Sequence, residues 1–241
     1  MCLFKKKLKK NNQGKIIVGK SSDSRRLEGY NRLKDNILYM NADGKNKVIQ
    51  VESSIMNEGK TTVISNLAVS LGLTDKKVVV VDLDFRAPRI HRLFNLSKDT
   101  GIAEYVLDEV SLDSIIKTSE YKNVDVVTRG AEVYNASLVF VSEKFKKMIE
   151  ELRSRYDYVL LDCAPVLLVS DYIHISKVSD GVLFMVAYAL TTKSQVADAI
   201  NELRKNDANI LGTVFTMYDR KKDREGRFND VYYYASSEKD E

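Results

Sequence analysis

An apolar run, Val48, Ile49 and Val51, leads through Ser54-Ile55-Met56-Asn57-Glu58 into Gly59-Lys60-Thr61-Thr62. From there it enters a stretch whose apolar residues Val63, Ile64, Leu67, Ala68 and Leu71 recur at helical spacing. A strand, a tight loop and a helix in immediate succession leave few arrangements open, because the loop N–H groups then converge on the positive end of the helix dipole. Such a cradle binds phosphate oxygens; Lys60 can neutralise their charge and Thr61 can ligate a divalent cation. The GxxxxGK[ST] pattern is met with one exchange, since Ser54 stands where the first glycine is usual, and Met56 and Asn57 replace residues often found as Pro and Gly. Asn tolerates positive φ better than most residues, so the turn is expected to survive at Asn57.

The apolar pattern beyond this loop alternates between two periods. It predicts a helix over 25–41, then strands at 47–53, 77–82, 123–128, 157–162, 181–187 and 209–216. Helices are expected between them at 61–73, about 102–117, about 138–154, about 171–177 and 192–205. Near-continuous Val/Leu/Ile strands separated by helices describe an α/β fold, a mostly parallel sheet with helices on both faces. Ligands in such sheets sit beyond the carboxyl ends of the strands. There the chain places Gly59-Lys60-Thr61, then Val78-Val79-Val80-Val81 running into Asp82-Leu83-Asp84-Phe85-Arg86, then Val159-Leu160-Leu161-Asp162. Pro88 and Pro165, the sequence's two prolines, follow the acidic strand ends as turn residues.

With 241 residues and 44% hydrophobic content, the chain is read as one P-loop domain over 25–218, flanked by a basic polar lead (1–24) and a flexible tail (219–241). A net charge of +4 falls well short of a nucleic-acid-binding surface, and no nucleic-acid partner is expected. Two cysteines, Cys2 and Cys163, support neither a disulfide framework nor a metal cluster, which fits a reducing cytoplasm. The longest apolar stretch, 181–190, is shorter than the ~20 residues a spanning helix needs. A membrane role would therefore run through a partner or through Lys5-Lys6-Lys7-Leu8-Lys9-Lys10, whose cations contribute roughly 1 kcal/mol each near anionic lipid.

From about residue 25 to 217, and again in the tail, the chain resembles the bacterial tyrosine kinases, P-loop kinases that work with capsule and exopolysaccharide machinery. The resemblance rests on Val79-Val80-Val81-Asp82-Leu83-Asp84-Phe85-Arg86, which meets that family's apolar-triplet-DxDxR strand. It also rests on Pro88-Arg89-Ile90-His91-Arg92-Leu93-Phe94, on Gly101 to Leu107 and on Asp180-Gly181. It implies ATP and Mg²⁺ as cofactors, with Asn57, Glu58, Gly59, Lys60, Thr61 and Thr62 binding the nucleotide phosphates and Lys60, Asp82 and Asp84 as the catalytic residues. Thr61, Asp84 and Asp162 would organise the metal, and Asp82 would accept the tyrosine hydroxyl proton. The tail's Tyr232, Tyr233 and Tyr234 would be the phosphorylated cluster, next to Glu238, Asp240 and Glu241.

The same resemblance implies a cytoplasmic, stand-alone kinase held at the inner face of the membrane by a membrane-anchored polysaccharide co-polymerase that activates it. It implies trans-autophosphorylation within a ring of copies, and a protein tyrosine phosphatase as counterpart. The family's E-x-x-R-x-x-R assembly segment is altered here: Glu28 is followed by Asn31 and Lys34, with Arg32 one place off. Cys163 replaces a Ser or Thr after Asp162, and Thr216 stands where relatives often carry Asn. Two other readings share the loop: a MinD/ParA-type ATPase switch, and a nucleotide-binding adaptor that transfers nothing. The switch ATPases carry a second lysine early in the loop, where this chain has Ile55.

Overall fold

The computed structural model describes residues 14–20 and 24–218. Seven strands form one sheet in the order β3-β4-β2-β5-β1-β6-β7. The central five, β4 (Val124–Val127), β2 (Val78–Asp82), β5 (Tyr158–Asp162), β1 (Val48–Ser53) and β6 (Gly181–Ala187), run parallel, as does β7 (Ile210–Thr216) at one edge. β1, β2, β5 and β6 are buried along their whole length, which is why they read as continuous apolar runs rather than as alternating ones.

One face of the sheet is covered by α1 (Ser24–Met40), α2 (Lys60–Gly72) and α3 (Ile90–Leu93), with Ile37, Ile64, Leu67, Leu71 and Phe94 buried against Val80, Val126 and Leu160. The other face carries α4 (Ile102–Val106), α5 (Leu112–Ile115), α6 (Ala136–Val141) and α7 (Glu143–Arg155), through Phe140, Phe145, Met148 and Leu152 on Val79, Val81 and Leu161. Towards β6 and β7, α8 (Tyr172–Ile175) and α9 (Lys193–Lys205) close a smaller cluster around Phe184 and Leu203.

Three expectations change. The helix expected at 102–117 is two short helices followed by β3 (Ile116–Thr118), which pairs antiparallel with β4. Asp108 adopts φ 62° after α4, ending that helix, and Ile116 then finds ladder partners on the open edge of β4. The helix expected at 138–154 breaks at Ser142, whose extended backbone and hydroxyl cap α7 by accepting from Phe145 N. α3, a single turn, follows Pro88 and Arg89 where no helix was expected.

Residues 14–20, placed in the polar lead by the sequence reading, are packed on the domain: Ile16 and Val18 are buried in the same cluster as α2. The packed chain thus begins by Gly14, because two of the three apolar side chains of residues 14–20, Ile16 and Val18, find a groove on the P-loop helix. The basic run 5–10 and the tail with Tyr232, Tyr233 and Tyr234 lie outside the described residues. No helix among the described residues is long and apolar enough to cross a membrane.

Leu160 is fully buried at the centre of β5, between β2 and β1. Leu160→Ala is expected to lower the unfolding free energy by about 2–5 kcal/mol, read as a shifted denaturant midpoint at unchanged slope.

Candidate functional site

The carboxyl ends of β1, β2 and β5 open on a cavity of about 500 Å³ whose wall includes Asn57, Gly59, Lys60, Thr61, Asp84 and Arg89. Its floor is the turn between β1 and α2. Gly59 lies at φ 90° immediately before α2, and Asn57 at φ 65°. Both values belong to the left-handed region, so the Asn that stands in place of Gly takes the conformation it was expected to tolerate. The first N–H groups of α2, without intrahelical partners, face this space at the positive end of a 13-residue helix.

Four side chains hold the turn. Glu58, expected among the phosphate-binding residues, is fully buried and its carboxylate points inward. One oxygen accepts from Ile55 N at 2.7 Å, and the other from Ala187 N at 3.1 Å and from the Thr191 hydroxyl. The side chain is a staple between the loop and the end of β6, because those buried amides need an acceptor; only its main chain is free to face phosphate. Thr216 donates its hydroxyl to Glu58 O at 2.6 Å and packs its methyl group on the bare Cα side of Gly59. Thr216, standing where relatives often carry Asn, is thus a clamp on the phosphate loop. Lys60, buried, donates to Ser53 Oγ at 2.9 Å, and Ser53 Oγ donates to Ile55 O.

The acidic strand ends form two layers. Asp84 lines the cavity, its Oδ1 accepting from Ala87 N. Asp82 and Asp162, paired in register across β2 and β5, lie beneath it and are closed off from solvent. Asp82 Oδ2 accepts from Ile90 N at 3.1 Å, while Asp82 Oδ1 and both Asp162 oxygens are buried without hydrogen-bond partners. Burial, with the Asp162 charge adding to it, raises the Asp82 proton affinity well above the carboxylate range. Burial likewise pushes Asp162 up to about 7, against the pull of the Lys60 cation.

Orphaned carboxylate oxygens beside a cationic cradle fit a divalent ion. Among the described residues no group of three or more His, Cys, Asp or Glu makes a metal cage by itself. Mg²⁺ retains water and takes phosphate oxygens in addition to one or two carboxylates. Thr61 and Asp84, which line the cavity, and Asp162, buried at the same end of the sheet, are the residues that could hold it.

The remaining motif residues divide. Arg86 forms an ion pair with Asp171, which also accepts from Ser137 Oγ at 2.9 Å, so the motif's arginine braces the β2 turn against α6 and the start of α8. Asp180 caps the start of β1 through Val48 N at 2.7 Å and holds Arg153 with both oxygens, a structural role. Arg32 pairs with Glu28 along the exposed face of α1. Sequence reasoning passed over Arg92, Met217 and Gly14, all of which line the cavity. Arg92 carried a signal in its place within the Pro88–Phe94 stretch, whereas Met217 and Gly14 arrive only through the fold.

The AAA domain family model matches residues 46–212, and the chain belongs to that family. It is 30% identical over 202 residues to the tyrosine-protein kinase YwqD of Bacillus subtilis, covering 84% of this chain and 85% of YwqD. It is 26% identical to CapB of Staphylococcus aureus, covering 95% of this chain and 98% of CapB. It spans only 29% of the tyrosine-protein kinase ptk of Acinetobacter johnsonii, at 28% identity over 88% of this chain. The crystal structure of the chimerical protein CapA2B2 superposes with a TM-score of 0.79 at 28% identity, over 83% of this chain and 88% of that one. Within the P-loop NTPases, the chain is a member of the bacterial tyrosine-protein kinases.

Behind the loop, Glu52 is fully buried, takes Gln50 Nε2 at 2.7 Å, and is pushed up to about 8 chiefly by burial. Unfolded, it ionises near 4.5; folded, it keeps its proton to about 8. The folded state therefore binds more protons between these values, and Glu52 lowers the unfolding free energy as pH rises through that window. Glu52→Gln should remove this share, so its stability relative to the parent protein grows from pH 5 to pH 8, by on the order of 1–4 kcal/mol at the upper end. Denaturation at several pH values checks this; parallel stability curves would exclude it.

Proposed function

We propose that the protein is an ATP-dependent tyrosine autokinase that phosphorylates Tyr232, Tyr233 and Tyr234 in trans, and that this cycle regulates capsular or exopolysaccharide synthesis. The observation that carries the reading is the pairing of the Lys60–Thr62 cradle with the two-layered Asp84/Asp82–Asp162 acidic end on adjacent strands. The loop amides from Asn57 to Thr62 and the Lys60 ammonium would bind the phosphates of ATP. Thr61, Asp84 and Asp162 would hold Mg²⁺, which when bound withdraws charge from the γ-phosphoryl group.

In the transfer, the tyrosine oxygen forms a bond to the γ-phosphorus, the bond to the β-γ bridging oxygen breaks, and ADP leaves. The phenol proton, with an ordinary pKa near 10, passes to Asp82. That role needs Asp82 ionised, which a cation beside it would favour against the effect of burial, and its Oδ1, which has no hydrogen-bond partner, is the oxygen that would take the proton. Each phosphate adds roughly −1.5 to −2 charge beside Glu238, Asp240 and Glu241. A phosphorylated tail would then leave a neighbouring copy's site, and the assembly would loosen.

A membrane-anchored polysaccharide co-polymerase would bring this kinase to the inner face of the membrane and activate it, and a tyrosine phosphatase would reset it. The similarity to CapB over 98% of that protein's length supports the kinase reading. The absence of a second lysine at Ile55 favours it over a positioning ATPase.

Lys60→Met is expected to lower phosphotyrosine formation about 10²–10³-fold with the fold retained, measured by phosphotyrosine mass spectrometry and circular dichroism. Asp82→Asn and Asp84→Asn should both lose transfer, but only Asp84→Asn should regain part of it at raised Mg²⁺; identical Mg²⁺ responses would overturn the division of roles. Replacing the three tail tyrosines by Phe should remove the phosphate and leave an oligomer that ATP no longer disperses, followed by light scattering. Phosphate found only elsewhere would refute the acceptor assignment.

A further inference from the structure

Residues 14–20 cross the first turns of α2 and end against the phosphate cradle, and a single buried side chain fastens them there. Asn66 Oδ1 accepts from Ile17 N at 2.8 Å and from Val18 N at 3.2 Å. Its amide nitrogen donates to Lys15 O at 2.9 Å and to Thr62 O at 2.8 Å. Every donor and acceptor of this fully buried amide is used, three on the strap and one on the P-loop helix. Ile16 and Val18 bury on either side of the fastening. At the far end Lys20 pairs with Glu120 at 2.8 Å and lies 4.8 Å from the Tyr121 ring centre. At the near end Gly14 forms part of the cavity wall, so close to Thr62 that a Cβ built on it would collide with Thr62 Oγ1.

We infer that Asn66 is a positioning residue of the nucleotide site, and that residues 14–18 are a wall of that site whose docking is linked to nucleotide binding. The inference rests on the nucleotide reading above and adds a regulatory input to it. Thr62 is the shared element. Its carbonyl is held by Asn66, its hydroxyl is covered by Gly14, and its N–H belongs to the first turn that faces phosphate. An occupant that orders Thr62 therefore strengthens the strap, and by reciprocity a docked strap strengthens nucleotide binding by the same factor. Any partner that pulls on the chain ahead of Gly14 would then lower the affinity for ATP without touching the acidic strand ends.

The test uses the full chain and Mg·ATP. Amide hydrogen exchange of the peptide containing Ile17 and Val18 should slow at least about 5-fold when Mg·ATP saturates the site, as measured by calorimetry under the same conditions. Asn66→Asp keeps the acceptor but turns a second oxygen on Lys15 O and Thr62 O. It should weaken Mg·ATP binding about 5- to 20-fold, with the change falling on KM more than on kcat. Gly14→Ala lies outside the core and presses on Thr62 from the cavity side; it should act in the same direction, which keeps the test open should Asn66→Asp fail to fold. Saturating Mg·ATP that leaves exchange at Ile17 and Val18 unchanged, or a Gly14→Ala protein that binds Mg·ATP like the parent, would overturn the linkage alone. A parent protein that binds no Mg·ATP would overturn the nucleotide reading and the linkage with it.

Discussion

The left-handed turn at Asn57 and Gly59 is the constraint on which the site depends, because it points successive amides the same way at the head of α2. Such a backbone is not self-supporting, least of all at a non-glycine residue. It is held by the buried Glu58 carboxylate reaching Ile55, Ala187 and Thr191, by the Thr216 hydroxyl on Glu58 O, and by Ser53 linking Lys60 to Ile55 O. Two of these supports come from β6 and β7. The phosphate cradle therefore exists only when the sheet is complete on that side, which couples catalytic geometry to global folding.

The second dependence is electrostatic. Asp82 and Asp162 stand side by side in the sheet with three oxygens unpartnered, and each is driven toward the protonated state by burial. Unpaired buried carboxylates are costly, and a domain whose stability is only about 5–15 kcal/mol retains such a cluster where a cation is to be received. Lys60, whose charge pulls Asp162 back toward ionisation, answers part of that cost from the phosphate side. The nucleotide loop and the acidic strand ends are thus one charge system, and removing either half changes the proton affinity of the other.

The edges of the fold show where local and tertiary preferences diverge. Residues 102–118 carry enough helical spacing to suggest one helix, yet β4 leaves an open ladder edge and the chain ends up pairing Ile116–Thr118 with it. The apolar run Ile16-Ile17-Val18 is too short to show a period, but Ile16 and Val18 find a groove beside Asn66. In both places the deciding contact lies about ten to fifty residues away, and a period count over a short window has no access to it.

The sequence by itself determined the parallel sheet, the strand–loop–helix cradle and the gathering of Asp82, Asp84 and Asp162 at one sheet end. Buried parallel strands must be apolar throughout, and their carboxyl ends must face a common side. It also determined that Asn57 could take a left-handed turn. Only the tertiary structure decided that Glu58 and Thr216 are supports, that Asp84 faces the cavity while Asp82 and Asp162 lie beneath it, and that Arg86 is engaged by Asp171. The reason is geometric: a residue type states which bonds a side chain can make. Which bonds it does make depends on what the fold brings within about 3 Å of it.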